Sequence, residues 1–311
     1  VYDVVIAGGT EILSVLMNEE YPGSVKGVDY QRMIQLIMEG CDRAIHYNQE
    51  PWNTSILGGW FIGYANEYGL SEKDMLDALD SRTISRHHNA AHNPKAQLNF
   101  EMDDYAKKRG FNDGKEFLES RANPYICYPV KSWHLGTFND AASAVVLCAE
   151  EVADKFTDKP IHVIGTGNSQ GQLYNKKHYS CPPIEEAGRQ AYEMADISPD
   201  DVDLLQCYVT GGHVEITIAE DLGYAPRGEY WQFLVDKRTG FDGDKPVNTD
   251  GGLRAQGDPA GSVASDQVYE IVKQLRGEAG SRQIKPTPEI GLSHVLGATG
   301  DTSHVVTLFG R

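Results

Sequence analysis

The sequence predicts an α/β protein, because strand-like and helix-like hydrophobic patterns alternate along the chain. Short apolar runs such as Val1–Ala7 and Ala144–Cys148 are typical of buried strands, whereas Pro182–Asp196 has apolar residues at helical spacing. With 311 residues, of which 40% are hydrophobic, the chain can bury a substantial core in one large domain or two smaller ones.

The first half of the chain contains four predicted features. The strand Val1–Ala7 ends at a glycine pair, and a helical pattern follows at Met33–Ile37. Ser71 is a suitable N-cap for a helix, since Asp74 follows three residues later. The run Ala144–Cys148 predicts a strand buried on both faces, in which Cys148 is a small core residue.

The second half begins after the charged stretch 150–160 with a short strand at Ile161–Gly165. The Gly-Thr-Gly at the end of this strand does not complete the Gly-x-Gly-x-x-Gly motif of dinucleotide-binding proteins, because the third glycine comes one residue late. The motif also needs a helix at this point, whereas the sequence predicts a polar loop. Asp201–Val209 is a predicted strand, followed by a helix over Val214–Leu222. A last helix contains Ala264 to Leu275 and stops at Gly277.

Composition excludes several classes of function. A net charge of −17 and a pI near 4.9 argue against a nucleic-acid partner. No apolar run reaches the length of a membrane span, and no signal peptide is recognisable, so we expect a cytoplasmic protein. The cysteines are odd in number and contain no Cys-x-x-Cys pair, which indicates neither a disulfide framework nor a zinc site; they are Cys41, Cys127, Cys148, Cys181 and Cys207.

Three histidines lie within six residues in the segment 87–94. Only His88 and His92 have the i, i+4 spacing of a helical ligand pair, and no glutamate lies between them as in zinc peptidases. On this partial ligand set we expect no metal.

The segment Pro246–Pro259 is the strongest candidate for a site, because its glycines and turn residues indicate a backbone shaped to present polar groups. Its motifs Asn-Thr-Asp-Gly-Gly-Leu and Gly-Asp-Pro, together with the segment Gln274–Gly280, resemble the C-terminal half of thiolases. The resemblance is closest to the archaeal and lipid-transfer-protein (sterol-carrier-type) branch. The segment 87–94 is similar to the family's His-x-Asn-Ala-x-x-Asn-Pro, and Ile290–Ala298 to Gly-Leu-Thr-His-Asn-x-Gly-Gly.

The resemblance implies a layered α-β-α-β-α fold of two similar halves. Residues 1–155 would be the remainder of an incomplete N-terminal half, including a loop domain at about 50–128, and residues 156–311 the C-terminal half. The family's nucleophilic cysteine precedes the strand that matches Val1–Ala7, so we expect it to be missing from this sequence.

The resemblance also implies candidate site residues. Asp258 replaces the activating histidine of the family's Gly-His-Pro. In one alignment Tyr208 matches a catalytic histidine or tyrosine, and in a second alignment Cys207-Tyr208 matches the family's Cys-Phe. His294 is the strongest acid–base candidate, because a histidine at a strand-to-glycine turn has few packing reasons to be there. Cys207 is expected to be a packing residue, as is usual for a lone cysteine. Substrate or coenzyme A contacts are expected from Asn248, Gly251, Gly252, Gly257 and Gly297.

Three functions follow from the resemblance. The first is an acyltransferase-type enzyme that makes or breaks a carbon–carbon bond in an acyl-CoA. The second is a retro-aldolase for β-hydroxyacyl-CoA that uses no acyl-cysteine, and the third a non-catalytic thiolase-like subunit of a complex. The family implies a homodimer, a possible small OB-fold zinc-ribbon subunit that holds acyl-CoA, and no cofactor beyond coenzyme A within the substrate.

Overall fold

The computed structural model describes residues 2–12, 52–171, 179–297 and 303–311, with side chains from residue 58 onward in the second range. The helical pattern at Met33–Ile37 lies outside these residues. The helices of the described ranges are α1 Trp52–Tyr68, α2 Glu72–Ala91, α3 Met102–Lys107, α4 Gly114–Glu119, α5 Glu150–Ala153, α6 Pro182–Ala195, α7 Gly212–Asp221, α8 Tyr230–Val235, α9 Gly252–Ala255 and α10 Val263–Leu275. The strands are β1 Val4–Glu11, β2 Tyr125–Cys127, β3 Val130–Lys131, β4 Ala141–Cys148, β5 His162–Ser169, β6 Leu204–Cys207, β7 Ile290–Gly297 and β8 Ser303–Gly310.

A mixed four-stranded sheet organises the second half of the chain. Its order is β5-β8-β7-β6, with β6 parallel to β7 and the other neighbours antiparallel. Helix α6 packs on β5 and β8, whereas α10 packs on β6 and β7 from the other face and also contacts β1 and β4. Helices therefore cover both faces of a sheet, which confirms the predicted layered α/β class.

Helix boundaries follow the predicted signals closely. Ser71 caps α2, accepting a hydrogen bond from the Asp74 amide while the Asp74 carboxylate accepts one from Ser71. Helix α10 ends at Leu275, and Gly277 has a φ of 74°, as predicted for a helix stop. None of the helices within the described residues has the length and apolar character needed to cross a bilayer.

The strands β1 and β4 form a separate antiparallel pair, with Ile6 opposite Val146. Both were predicted to be buried, and both predictions are wrong: Ile6 is 76% exposed and Val146 61%. Cys148 is likewise only half-buried rather than a core residue. The physical reason is that, within the described residues, β1 and β4 pair only with each other, so their apolar side chains extend beyond the helix that packs on them.

A buried charge cluster joins α2 to α7. Glu215 accepts hydrogen bonds from the Arg82 Nε at 2.9 Å, the Arg86 Nη2 at 3.0 Å and the Tyr230 hydroxyl at 3.0 Å. Two arginines beside this fully buried carboxyl hold its pKa below the ordinary value despite desolvation. Because removing one partner would leave buried charge unpaired, this cluster fixes α2 against the core.

Candidate active site

The segment 246–259 is tied to the end of β6. Val247 forms a parallel bridge with Leu205, and the Asn248 amide donates to the Leu205 carbonyl at 2.9 Å. The Asn248 side chain accepts from the Cys207 amide at 2.8 Å, with its own backbone at a φ of 50°. Asparagine tolerates this left-handed conformation better than most residues, so Asn248 suits a sharp turn beside the strand.

The opposite side of the segment is tied to α10. The Thr249 hydroxyl donates to the Glu270 carboxylate at 2.8 Å, and Glu270 accepts in turn from the Arg282 Nη2 at 2.7 Å. All three side chains are buried. The turn is therefore held from both sides, which fixes the residues that follow it.

The glycines of this segment have packing reasons to be glycines. Gly251 and Gly257 have φ values of 109° and 130°, and a Cβ would collide with Ala90 at the first and with Asn139 at the second. Gly252 has a φ of 55° and lies against the Asn248 side chain. The predicted contacts of these residues with substrate remain a prediction, as does that of Gly297 at the exposed end of β7.

Asp258 ends the segment as a carboxyl group inside the protein, 1% exposed. Its amide donates to the Thr137 carbonyl at 2.7 Å, and it forms a parallel bridge with Phe138. Its Oδ1 accepts a hydrogen bond from the Ala260 amide at 3.2 Å. The segment 135–139 thus supplies one wall of the site from the first half of the chain.

Tyr208 lies beside Asp258, with its hydroxyl 3.4 Å from the Asp258 Oδ1. Burial raises the pKa of Asp258 to about 6, although the Ala260 amide and the Tyr208 hydroxyl act in the opposite direction. Burial, and then the carboxyl of Asp258, raise the pKa of Tyr208, so its phenol stays protonated at neutral pH. The pair therefore offers a carboxyl group that can exchange a proton near neutrality next to a neutral hydrogen-bond donor.

His294 is placed differently from the prediction. It lies inside β7 rather than at a strand-to-glycine turn, and it is fully buried. Its Nε2 is 3.1 Å from the His304 Nδ1, and the His304 Nε2 is 3.5 Å from the Cys181 Sγ. Burial, and then His304, lower the pKa of His294 to about 3, so its imidazole is neutral at physiological pH.

Strand alternation explains why the His294 side chain does not join Tyr208 and Asp258, although the Tyr208 amide donates to the His294 carbonyl at 3.0 Å. Ser293 hydrogen-bonds to Gln267 of α10, so its neighbour His294 points to the opposite face of the sheet. There the His294 imidazole contacts His304, whose other ring nitrogen contacts Cys181, directly before α6. Tyr208 and Asp258 share one hydrogen-bonded group, and the described contacts of the His294 imidazole do not include either of them.

Residues around the pair were not foreseen from the sequence. The buried Arg254 donates to the Leu135 carbonyl at 3.0 Å and to the Thr137 hydroxyl at 3.2 Å, which supports the wall against Asp258. Glu11, at the end of β1, lies close enough to raise the pKa of Tyr208 further. Arg254 directly follows the recognised Asn-Thr-Asp-Gly-Gly-Leu phrase, and that adjacency was the only signal available in the sequence.

Cys207 is held against the site segment but is a poor nucleophile. Its side chain is buried, and the Asn248 amide nitrogen lies 3.7 Å from its Sγ. Burial, and then the charge of Glu215, raise the pKa of the Cys207 thiol well above its ordinary value. A thiol that stays protonated lacks the thiolate needed for nucleophilic attack, in keeping with the expected packing role.

Comparison with known proteins identifies the family. Residues 165–311 match the family described as thiolase C-terminal domain-like. The acetyl-CoA acetyltransferase of Methanothermobacter thermautotrophicus is 34% identical over 252 residues, or 79% of this chain and 60% of that protein. The chain belongs to the thiolase superfamily. This membership confirms the family that the motifs of residues 246–259 and 290–298 indicated.

Other thiolase relatives cover a similar part of the chain. The benzoylsuccinyl-CoA thiolase subunit BbsB of Thauera aromatica is 30% identical over 80% of this chain and 62% of its own length. Sterol carrier protein 2 of Rattus norvegicus is 29% identical over 72% of this chain and 39% of its own length. This thiolase-superfamily chain therefore spans less than two thirds of the length of these curated relatives.

Solved structures share the thiolase-like fold. The Ltp2-ChsH2(DUF35) aldolase superposes with a TM-score of 0.73 at 20% identity, covering 98% of this chain and 72% of that one. A monomeric SCP2-thiolase like protein type 1 from Mycobacterium smegmatis gives a TM-score of 0.65 at 18% identity, covering 99% of this chain and 56% of that one. At these identities the similarity establishes the fold.

Proposed function

We propose that this thiolase-superfamily chain makes or breaks a carbon–carbon bond in an acyl-CoA substrate, as an enzyme of the acyl-CoA acyltransferase type. The observation that carries the proposal is the buried carboxyl of Asp258, with a pKa raised to about 6, beside the Tyr208 hydroxyl. Carbon–carbon chemistry next to a thioester needs a group that moves a proton and a donor that stabilises an enolate oxygen. The names of the acetyl-CoA acetyltransferase and thiolase relatives support the substrate class.

In this mechanism Asp258 is the proton carrier and Tyr208 the hydrogen-bond donor. A carboxyl group with a pKa near the working pH is populated in both protonation states, so it can accept and return a proton in one cycle. The acyltransferase route also needs a thiolate, and Cys207, the cysteine next to Tyr208, is unsuited because its thiol is buried and its pKa raised. We propose that the thiolate comes from a different cysteine. The catalytic role predicted for His294 stays a prediction and has no part in this mechanism, because its imidazole lies on the other face of the sheet and contacts His304.

Retro-aldol cleavage of a β-hydroxyacyl-CoA is the second candidate, favoured by the same pair because it needs no acyl-enzyme. The Asp258 carboxylate takes the proton of the β-hydroxyl group. The bond between the α and β carbons breaks, a carbonyl product leaves, and the electron pair forms the enolate of the shortened acyl-CoA. Tyr208 donates a hydrogen bond to the enolate oxygen while Asp258 returns the proton to the α carbon.

We also propose that the exposed β1–β4 pair is covered by a second copy of this chain. Ile6 and Val146 lie opposite each other there and are largely exposed, and apolar strand surfaces of this kind mark sites of association. A small OB-fold zinc-ribbon subunit that binds acyl-CoA remains a further proposed partner. The description of one relative as a subunit supports a role within a complex.

The test compares thiolysis of a β-ketoacyl-CoA with cleavage of a β-hydroxyacyl-CoA. Only thiolysis consumes free coenzyme A, so the coenzyme A balance separates the two reactions. We expect Asp258→Asn to lower the active reaction by roughly 10²- to 10⁴-fold, the usual contribution of a general acid–base group. The exposed Asp200→Asn is the matched control. Equal turnover by wild type and Asp258→Asn would refute the assigned role, and inactivity that an intact thiolase chain relieves by co-assembly would favour a non-catalytic subunit.

A further inference from the structure

A second cluster of polar side chains lies at the C-terminal end of α2, away from Asp258. His88 and His92 are one helical turn apart, with their ring centroids separated by 5.3 Å. Glu101, directly before α3, places its Oε1 2.9 Å from the His88 Nδ1. One ligand atom from each of the three residues lies within 4.8 Å of the others. We propose that His88, His92 and Glu101 bind a divalent transition-metal ion such as Zn²⁺.

Phe241 orients the two imidazoles. Its ring stacks on His88 with centroids 5.1 Å apart and an interplanar angle of 12°, and it meets the edge of His92 at 4.9 Å. These contacts restrict the rotation of both histidine rings, so less conformational freedom is lost when an ion binds. Asp242 follows in the same loop, with its Oδ2 3.7 Å from the His88 Nε2. It is largely exposed and lies beside the ring nitrogen that does not face Glu101, so it can accept a hydrogen bond from the Nε2–H of a metal-bound His88.

The set of donors indicates the kind of ion. Two imidazoles with carboxylate oxygens suit Zn²⁺ and related transition metals, whereas Mg²⁺ and Ca²⁺ prefer oxygen ligands alone. Zinc–ligand distances of about 2.0–2.2 Å place tetrahedral donors roughly 3.4 Å apart, so side chains already within 4.8 Å need only small rotations. His88 and Glu101 are each about one-third exposed, which leaves the ion a path from solvent.

The ion would stabilise the segment that carries the candidate active site. Between the two ligand histidines, Asn89 donates to the Asn248 carbonyl at 3.0 Å and accepts from the Phe241 amide at 3.0 Å. Just beyond His92, Asn93 donates to the Asp250 carbonyl at 2.9 Å. An ion joining α2, the start of α3 and the Phe241 loop would therefore hold the helix end on which residues 248–250 rest. Its role is structural, since none of its ligands contacts Asp258 or Tyr208.

The deciding experiment measures metal binding by tag-free, chelator-treated full chain. Zn²⁺ is titrated by calorimetry, and Co²⁺ by its visible absorption, which reports the number and geometry of its ligands. We expect one high-affinity ion per chain, a higher thermal midpoint with Zn²⁺, and affinity lowered at least about tenfold in His92→Ala and Glu101→Gln. His162→Ala, a half-exposed histidine of β5, is the matched control and should bind as wild type does.

The two variants test the same site in different ways. Glu101→Gln keeps the size of the side chain and a hydrogen-bond acceptor near His88, so it remains informative if His92→Ala disturbs the helix end. The far-ultraviolet circular dichroism and the metal-free thermal midpoint of each variant establish that it folds. Binding of equal affinity in wild type and Glu101→Gln, or no binding by wild type, would overturn the proposal. Loss of binding in His162→Ala would do so as well, because it would place the ion elsewhere.

Discussion

Asp258→Asn is expected to stabilise the folded chain at neutral pH while it removes the proton carrier of the site. Burial raises the pKa of Asp258 from an ordinary value of 3.8 to about 6. The ionised carboxyl is therefore less favourable in the folded than in the unfolded chain, by roughly 3 kcal/mol for this difference in pKa at 1.36 kcal/mol per unit. An amide carries no charge at any pH, and its oxygen can still accept from the Ala260 amide.

The sign of the effect fixes its dependence on pH. Below about pH 3.8 the carboxyl is protonated in both states, so wild type and variant should have similar unfolding free energies. Between pH 3.8 and 6 the folded wild type binds more protons than the unfolded chain, so its stability falls as the pH rises. Above pH 6 the full difference of up to roughly 3 kcal/mol in favour of Asp258→Asn should be present.

Urea unfolding of both proteins at pH 4 and pH 7.5 measures this difference directly. Comparing the gap between the proteins at the two pH values cancels the titration of all other groups. Asp200→Asn, which removes an exposed carboxylate, should change the unfolding free energy by less than about 0.5 kcal/mol at either pH. An Asp258→Asn variant that is no more stable than wild type at pH 7.5, or whose advantage is the same at pH 4, would refute the buried-carboxyl reasoning.

Three further predictions follow from the contacts described above. Tyr208→Phe removes a hydrogen bond that favours the ionised form of Asp258, so the pKa of Asp258 should rise. The acid limb of the pH–rate profile should therefore move to higher pH, and the rate should fall roughly tenfold or more. An unchanged profile would mean that the hydroxyl does not face Asp258 in solution. Glu215→Gln leaves its two buried arginine partners without a counter-charge, so it should lower the unfolding free energy by about 3–5 kcal/mol in urea titrations. A loss below about 1 kcal/mol would contradict the buried cluster. Cys207 should resist iodoacetamide at pH 8 in the folded chain and react once the chain is unfolded, as peptide mapping by mass spectrometry can show; rapid labelling in the folded chain would contradict its burial and raised pKa.

The fold class and the helix ends were predictable because they depend on local sequence. Ser71 and Asp74 specify the start of α2, and Gly277 marks the stop of α10, without information from distant residues. The burial of β1 and β4 was mispredicted because an apolar run indicates only that its residues could be buried, not that other parts of the protein cover them. What actually covers Ile6 or Val146 depends on neighbours that the run itself does not specify.

The candidate site was only partly predictable for a related reason. The family motifs pointed to Asp258 and Tyr208, which lie 3.4 Å apart although 50 residues separate them in the sequence. The same reasoning grouped His294 with them, but strand register decides on which face a side chain lies, and a shift of one residue reverses it. Glu101 escaped notice beside the histidines because it lies beyond the end of α2, outside any helical spacing rule.

The strip of residues 135–139 has a consequence for how this protein can be divided. Its Gly136 amide donates to the Thr210 carbonyl at 2.8 Å, its Thr137 amide donates to the Leu253 carbonyl at 2.9 Å, and its Phe138 bridges Asp258. If the chain were cut near residue 155, these backbone hydrogen bonds would join two separate polypeptides. Each polypeptide alone would expose backbone groups that pair with the other one in the intact chain. Such fragments should complement each other by non-covalent reassociation. In the C-terminal fragment alone, Asp258 would be exposed to water. Its carboxyl would then be ionised at neutral pH, and almost none of it would be in the protonated form that returns a proton to substrate.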